Sequence, residues 1–207
     1  RLRPLFEWEQ TSGHESTSLD IEDLATVTLR PLGSQEDCAR TRNFRFDTVF
    51  GPTRTQEDVW NMARLEALVG KVVDGFHATV FAYGQTGSGK TYTMEGFQYE
   101  QSGRSLTHAM RPKVQLKNSS PEEMGIVPRV AASLFGRLEA LQTLLRSRGE
   151  EETHTVRVSF LQIYKERIYD LLNPAHTPAQ REIGKGEDFS GLRLRWDAAR
   201  RQFFVEN

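Results

Sequence analysis

Apolar and polar residues alternate in short runs over the first quarter of the chain, and this pattern predicts β-strands. Residues 25–29 and 44–50 are two such runs, and each is followed closely by a proline, which cannot continue a sheet ladder. Residues 1–5 resemble the end of another strand. Residues 7–23 are polar and acidic, so we expect them to form an excursion at the surface.

The spacing of apolar residues changes to the helical period in two later segments. Thr55 is followed three residues later by an acid, as at a capped helix start, and Gly75 would end that helix. Its apolar stripe consists of Val59, Met62, Leu65, Val69 and Val72. A second helix is predicted from Pro128 to Gly149, with a stripe of Val130, Leu134, Leu138, Leu141 and Leu145.

Other segments predict strands of different burial. Residues 79–83 are a short apolar run before a glycine-rich turn, and residues 192–205 have the pattern of a hairpin. The run 155–164 is apolar on both faces, which is typical of a central strand covered by helices. Residues 97–124 show no period and predict a long inserted loop. Together these elements predict an α/β fold with a central mixed β-sheet and helices on both faces.

Composition narrows the class of protein. The 207 residues carry a formal net charge of −1, so the chain has no overall field that would attract nucleic acid or an anionic membrane. Cys38 is the only cysteine, which excludes an intrachain disulfide. No apolar run approaches the roughly 20 residues of a membrane span. We therefore expect a protein that works without nucleic acid and without a membrane segment.

Residues 84–91 match the phosphate-binding pattern G-x-x-x-x-G-K-[ST] at every fixed position. Glycine permits positive φ and a close approach of backbone to ligand, so successive N–H groups would point at one anion. Lys90 would reach the β- and γ-phosphates of a nucleoside triphosphate, and Thr91 would give its hydroxyl to Mg²⁺. The alternative is that the glycines only form a strand-to-helix turn.

Five stretches of the chain, in the same order, resemble the motor domain of kinesins. Residues 81–94 are similar to the family's phosphate-loop signature, and residues 44–50 match its Phe-x-Phe-Asp-x-Val-Phe strand. Residues 125–129 are similar to the second part of its interrupted helix. Residues 158–174 resemble its central strand with the following segment, and residues 203–207 resemble its Tyr-Val-Glu-Asn edge.

The resemblance implies an ATP site. Arg1, Arg3 and Pro4 match the family's Arg-x-Arg-Pro motif, which borders the adenine, and Tyr92 occupies the position of the residue that stacks on the base. The alternatives are solvated charge for the two arginines and core packing for Tyr92. Lys90 is the candidate catalytic residue and Thr91 the candidate metal ligand. The implied nucleotide-binding residues are Arg1, Arg3, Pro4, Gly84, Gln85, Thr86, Gly87, Ser88, Gly89, Lys90, Thr91 and Tyr92.

The resemblance also implies an activity and a partner. A kinesin couples ATP hydrolysis to movement on microtubules, so tubulin, ATP, ADP and Mg²⁺ are the expected partners and cofactors, and the cytoplasmic cytoskeleton the expected location. The alternatives are a nucleotide-dependent microtubule-binding module without productive hydrolysis and an unrelated phosphate-loop protein.

The family's switch sequences, Ser-Ser-Arg-Ser-His and Asp-Leu-Ala-Gly, do not occur in this sequence. We therefore expect residues 1–207 to be the N-terminal part of a motor head, incomplete at the C-terminal side of its sheet. We also expect this part to be inactive and unstable alone. Direction of travel, cargo and oligomeric state would depend on segments outside it.

Overall fold

The structure is a computed structural model. It describes residues 1–11, 19–30, 41–96, 99–102, 113–116, 120–173 and 191–206. The described residues form two compact units, one within residues 1–152 and one within residues 153–206. Within these ranges helices and four small sheets occur together, which confirms the predicted α/β class. None of the helices within the described ranges has the length and apolar character that a membrane span requires.

The first unit begins with a short helix and a three-stranded antiparallel sheet. Helix α1 (Glu7–Thr11) precedes strands β1 (Leu19–Ile21), β2 (Thr26–Leu29) and β3 (Arg42–Arg45), which pair in the order β1-β2-β3. The predicted strand 25–29 is therefore confirmed. The region predicted as a polar excursion contains α1 and β1. The strand predicted at 44–50 ends at Arg45, because Arg45 pairs with Thr26, the first residue of β2.

The segment after Thr55, which was predicted to be one helix, forms two helices. Helix α2 (Gln56–Met62) has the predicted cap: the Thr55 hydroxyl accepts the N–H of Asp58, and the Asp58 carboxylate accepts the N–H of Thr55. Arg64 adopts a left-handed conformation with φ of 54° and separates α2 from α3 (Leu65–Val73). The prediction of one continuous helix was wrong. Apolar residues keep their helical spacing from α2 into α3, but the helical backbone is interrupted at Arg64.

Three further elements complete the first unit. Helix α4 (Lys90–Met94) follows the glycine-rich turn, and the long helix α5 (Ile126–Ser147) begins just before Pro128, as predicted. A hairpin of β4 (Tyr99–Ser102) and β5 (Lys113–Leu116), with a 3₁₀ turn at Pro121–Glu123, lies in the segment predicted as one long loop. The other residues of that segment fall partly outside the described ranges.

The core of the first unit lies between its helices. Phe50, Val59, Leu65 and Ile126 are buried together, and partly buried apolar residues of α2 to α5 pack around them. This cluster brings the start of α5 against α2 and α3. Because Met94 packs on the same cluster, the glycine-rich turn that precedes α4 is held at the edge of the core.

The described part of the second unit contains two hairpins. Strands β6 (Leu161–Tyr164) and β7 (Arg167–Asp170) pair antiparallel, as do β8 (Arg193–Asp197) and β9 (Gln202–Glu206). The second hairpin confirms the one predicted at 192–205. Trp196 and Phe203 face each other across it, edge to face, with ring centres 4.8 Å apart.

Two strands predicted for a central sheet have a different structure. Residues 79–83 form no strand. Of the run predicted at 155–164, only β6 is a strand, and all four of its side chains are exposed. The prediction that both of its faces are covered is wrong for this structure. Apolar composition favours an extended backbone, but a strand also needs a hydrogen-bonding neighbour, which composition does not specify.

Candidate functional site

The glycine-rich loop connects residues 79–83 to helix α4. Gly87 and Gly89 have φ of 79° and 90°, the left-handed conformation that glycine adopts without steric cost. A Cβ at Gly84 would lie 2.6 Å from the Ser88 hydroxyl oxygen, a contact that rotation of the Ser88 side chain can relieve. The sequence therefore folds into a compact turn, closed by a 3.2 Å hydrogen bond from the Ser88 N–H to the Gln85 carbonyl.

Lys90 folds back over this loop from the first position of α4. Its Nζ donates to the carbonyls of Gly84 and Gln85, both at 2.8 Å. The ammonium charge is thereby held at the mouth of the loop. Thr91, the next residue, is exposed at the start of α4. The loop thus presents a fixed cation and an accessible hydroxyl side by side.

Arg1 lies beside the loop and contacts α4 in two ways. Its guanidinium carbon is 5.1 Å from the centre of the Tyr92 ring, and its Nη1 donates to the Thr93 hydroxyl at 3.2 Å. The same Nη1 donates to Oε1 of Gln56 at 2.7 Å. Gln56 in turn donates through Nε2 to the Tyr92 carbonyl at 2.5 Å. Burial lowers the pKa of Arg1, although neighbouring Tyr92 opposes this shift.

Arg3 is held by a different partner. Both of its terminal nitrogens donate to the carboxylate of Glu9, and its guanidinium carbon lies 4.2 Å from the centre of the Phe6 ring. The Glu9 carboxylate also accepts the N–H of Phe6 at 2.8 Å. Hydrogen bonds from Arg3 and from that N–H lower the pKa of Glu9 to about 2. Pro4 is exposed next to this pair.

Two cavities adjoin the loop. One of about 320 Å³ lies between residues 1–5 and the loop, with Arg1, Arg3, Gln85 and Ser88 in its wall. The other, of about 400 Å³, is lined by Lys90 together with residues 81–84 and parts of α4. The first cavity therefore brings the two arginines predicted to border a base to the same space as the glycine-rich loop.

The structure thus assembles most of the predicted site. It places Arg1 against the Tyr92 ring, and it brings Arg1 and Arg3 to one cavity with Gln85 and Ser88 of the loop. Two residues that sequence reasoning missed, Gln56 and Glu9, hold the two arginines. Gln56 follows the predicted helix cap at Thr55, and Glu9 lies in the acidic stretch predicted to be at the surface. No sequence pattern indicated that either residue binds an arginine.

The chemistry of these residues fits a magnesium-bound nucleoside triphosphate. The backbone at Gly87 and Gly89 has the positive φ that a phosphate-binding turn requires, and the space beside Gly87 is open among the described residues. Lys90 supplies a point charge for phosphate oxygens. The exposed Thr91 hydroxyl is a hard oxygen ligand of the kind that Mg²⁺ accepts. The described residues contain no cluster of three or more His, Cys, Asp or Glu that could hold a metal by themselves.

Comparison with protein families gives one match over the whole chain, the kinesin motor domain, at residues 1–207. Among relatives, the chain is 38% identical to kinesin-like protein KIN-5C of Oryza sativa subsp. japonica over 176 residues, which are 84% of this chain and 15% of the rice protein. It is 35% identical to kinesin-like protein KIF3C of Bos taurus over 175 residues, which are 84% of this chain and 18% of the bovine protein.

Solved structures show the same likeness. A fast kinesin superposes on the whole chain with a TM-score of 0.64 and 25% identity, and the match covers 45% of that kinesin. Drosophila NOD, docked with bovine tubulin into a map of nucleotide-free NOD complexed to the microtubule, matches 77% of the chain with a TM-score of 0.53 and 27% identity. This match covers 44% of the NOD structure's chain. These neighbours confirm the predicted α/β fold class and have the phosphate-loop NTPase type of fold. The chain spans less than half the length of each protein named here.

Proposed function

The chain belongs to the kinesin motor domain family, and on that premise we propose that the intact protein is a microtubule motor driven by ATP hydrolysis. The observation that carries the proposal is Lys90, whose Nζ lies 2.8 Å from two carbonyls of the phosphate loop. This position is where a cation would meet the β- and γ-phosphates. The function would be exercised on the microtubule cytoskeleton of the cytoplasm.

Phosphate binding would use the Lys90 ammonium group, which already lies against the loop. Lys90 gives two hydrogen bonds to neutral carbonyls, and a phosphate oxygen is a stronger, charged acceptor. Exchange of these acceptors would transfer the ammonium charge to the phosphates without a change of backbone. The loop residues Gly84, Gln85, Thr86, Gly87, Ser88 and Gly89 would then surround the phosphates through their N–H groups.

The base would lie at the cavity lined by Arg1 and Arg3. Arg1 already contacts one face of the Tyr92 ring, and aromatic and guanidinium planes both stack on a purine. Pro4 is exposed at the same end of the chain and offers an apolar edge. The arrangement supports adenine contacts by Arg1, Arg3, Pro4 and Tyr92, as the family resemblance implies.

Mg²⁺ would be held by the Thr91 hydroxyl together with phosphate oxygens. When bound, the ion supplies charge neutralisation between the β- and γ-phosphates. The chain's own contribution is to fix the phosphates with Lys90 and the loop, because phosphoryl transfer depends mainly on positioning and electrostatic stabilisation.

The proposal is tested with the intact protein in two assays. Steady-state ATP turnover should rise on addition of microtubules, and surface-bound protein should move microtubules in the presence of ATP but not of ADP. Turnover and movement together support the motor. Microtubule binding that responds to nucleotide without turnover would replace it with the binding module, and turnover that microtubules leave unchanged would favour an unrelated phosphate-loop enzyme.

A further inference from the structure

Gln56 is the most buried polar side chain next to the candidate site. Only 4% of its surface is exposed, although it is the first residue of helix α2. Its two amide atoms are both used: Oε1 accepts from Arg1 at 2.7 Å, and Nε2 donates to the Tyr92 carbonyl at 2.5 Å. One side chain therefore joins the first residue of the chain to helix α4.

The two partners determine the chemistry that this position needs. A guanidinium has no acceptor, and a backbone carbonyl has no donor. The linking side chain must therefore accept at one end and donate at the other. Glutamine does both, whereas glutamate at neutral pH accepts only, and methionine of similar length forms neither bond. The amide orientation follows from the partners.

The backbone of Gln56 is fixed independently of the site. The reciprocal hydrogen bonds of Thr55 and Asp58 close the turn in which Gln56 lies. Arg54, on the other side of the cap, accepts a 3.3 Å hydrogen bond from Nη2 of Arg1 through its carbonyl. The start of α2 thus provides two acceptors for one guanidinium, and these acceptors limit where the plane of that guanidinium can lie.

We propose that Gln56 is a positioning residue for nucleotide-base recognition, which holds the Arg1 guanidinium across the Tyr92 ring. A base would then meet one preassembled face, and binding would not have to order two separate side chains. This inference rests on the proposed function, because it requires a nucleotide at the loop 84–91. It assigns to a residue outside that loop a role in binding the base and none in binding the phosphates.

The test separates the base from the phosphates. In the intact protein, ATP and Mg²⁺-tripolyphosphate, which lacks a base, are each titrated against a fluorescent ADP analogue labelled at the ribose. Gln56→Met removes both hydrogen bonds at similar volume. We expect it to weaken ATP binding about fivefold or more, the scale of a lost aromatic–cation arrangement, and to change tripolyphosphate binding by less than about twofold. Gln142→Met on α5 is the matched control and should change neither affinity.

A second variant keeps the test decisive if Gln56→Met is unstable. Gln56→Glu retains the acceptor for Arg1 but sets a carboxylate oxygen against the Tyr92 carbonyl, so the side chain can no longer hold Arg1 against α4, and ATP affinity should fall while tripolyphosphate affinity holds. Equal loss for both ligands would overturn the inference, as would unfolding of both variants at saturating ATP, which would assign Gln56 to the fold. Wild-type protein that binds tripolyphosphate as well as ATP would also overturn it. Failure to bind either ligand would instead refute the nucleotide site itself.

Discussion

Arg3 and Glu9 form a two-pronged ion pair at the start of the chain, in which both terminal nitrogens of the guanidinium contact the carboxylate. Glu9 also caps α1 by accepting the N–H of Phe6. One carboxylate therefore fixes a predicted nucleotide contact and begins a helix. The pair is only partly shielded, with 29% of the Arg3 side chain and 15% of the Glu9 side chain exposed.

The ion pair between Arg3 and Glu9 should make the stability of the folded state depend on pH. The pKa of Glu9 is lowered from its ordinary 4.5 to about 2, so the folded state binds the Glu9 proton less tightly than the unfolded state. The resulting stabilisation is complete above pH 4.5 and is lost as pH falls from 4.5 towards 2. We expect Glu9→Gln to lower the thermal midpoint at pH 6 and to have a smaller effect at pH 3.

Glu7→Gln is the matched control, since Glu7 is exposed on the same helix. Thermal unfolding of the two variants and the wild type at both pH values supplies the comparison. If Glu9→Gln lowers the midpoint by the same amount at pH 3 as at pH 6, the ion pair does not account for the effect.

Lys90→Ala should abolish ATP turnover in the intact protein. The change removes the charge proposed to face the β- and γ-phosphates and takes the Lys90 donor away from the loop carbonyls of Gly84 and Gln85. Loss of such an electrostatic contact typically costs at least about 100-fold in turnover. Lys71→Ala is the control, because Lys71 forms an exposed pair with Asp74 away from the loop. Turnover within about threefold of wild type would exclude the role of Lys90 in phosphoryl transfer.

Local signals in the sequence predicted several elements well. The cap at Thr55, the long helix near Pro128 and the hairpin at 192–205 each depend on residues close in sequence, and each is present. The central strands could not be predicted in the same way. Residues 79–83 and 155–164 have suitable composition, but a strand forms only where a distant segment supplies its ladder.

The same division applies to the candidate site. The loop 84–91 is a contiguous pattern in which Gly87 and Gly89 have a positive φ, so its compact turn was predictable from the sequence alone. Arg1 and Tyr92 came from family resemblance. Gln56 binds Arg1, which is distant in sequence, and Glu9 binds Arg3 from a stretch that the sequence indicated only as an acidic surface segment. Neither residue type indicates such a partner unless the fold is known.

The link between α3 and α5 should contribute little to stability. Arg137 donates to the Glu66 carboxylate across the two helices, and the nearby Ser133 hydroxyl together with the Arg137 guanidinium lowers the pKa of Glu66. Exposed pairs of this kind couple by about 0.2–1 kcal/mol. A double-mutant cycle of Glu66→Gln and Arg137→Met, measured by urea unfolding, should give a coupling in this range that shrinks in about 1 M salt. A larger coupling that resists salt would contradict the surface character of the pair.

Gly96 and Gly125 form a close crossing of the backbone where the chain leaves α4 and returns to α5. The N–H of Gly125 donates to the Glu95 carbonyl at 3.1 Å. A Cβ on Gly125 would lie 2.6 Å from the Met94 carbonyl oxygen, and a Cβ on Gly96 would collide with the backbone of Glu123 and Gly125. Gly96 also has φ of 81°. The neighbouring atoms belong to backbone, so no side chain can move aside to relieve either contact.

Alanine at either glycine should therefore be strongly destabilising. We expect Gly96→Ala and Gly125→Ala each to lower the free energy of unfolding by about 2–4 kcal/mol, through overpacking and, at Gly96, through strained backbone. Gly136→Ala is the matched control. Gly136 lies in the middle of α5, and a methyl group added there would meet no heavy atom of the described residues within 4 Å, so alanine should stabilise the helix by about 0.5–1 kcal/mol. Urea unfolding of the three variants measures these changes. Alanine tolerated at 96 and 125 as well as at 136 would show that α4 and α5 do not approach each other as closely as this crossing requires.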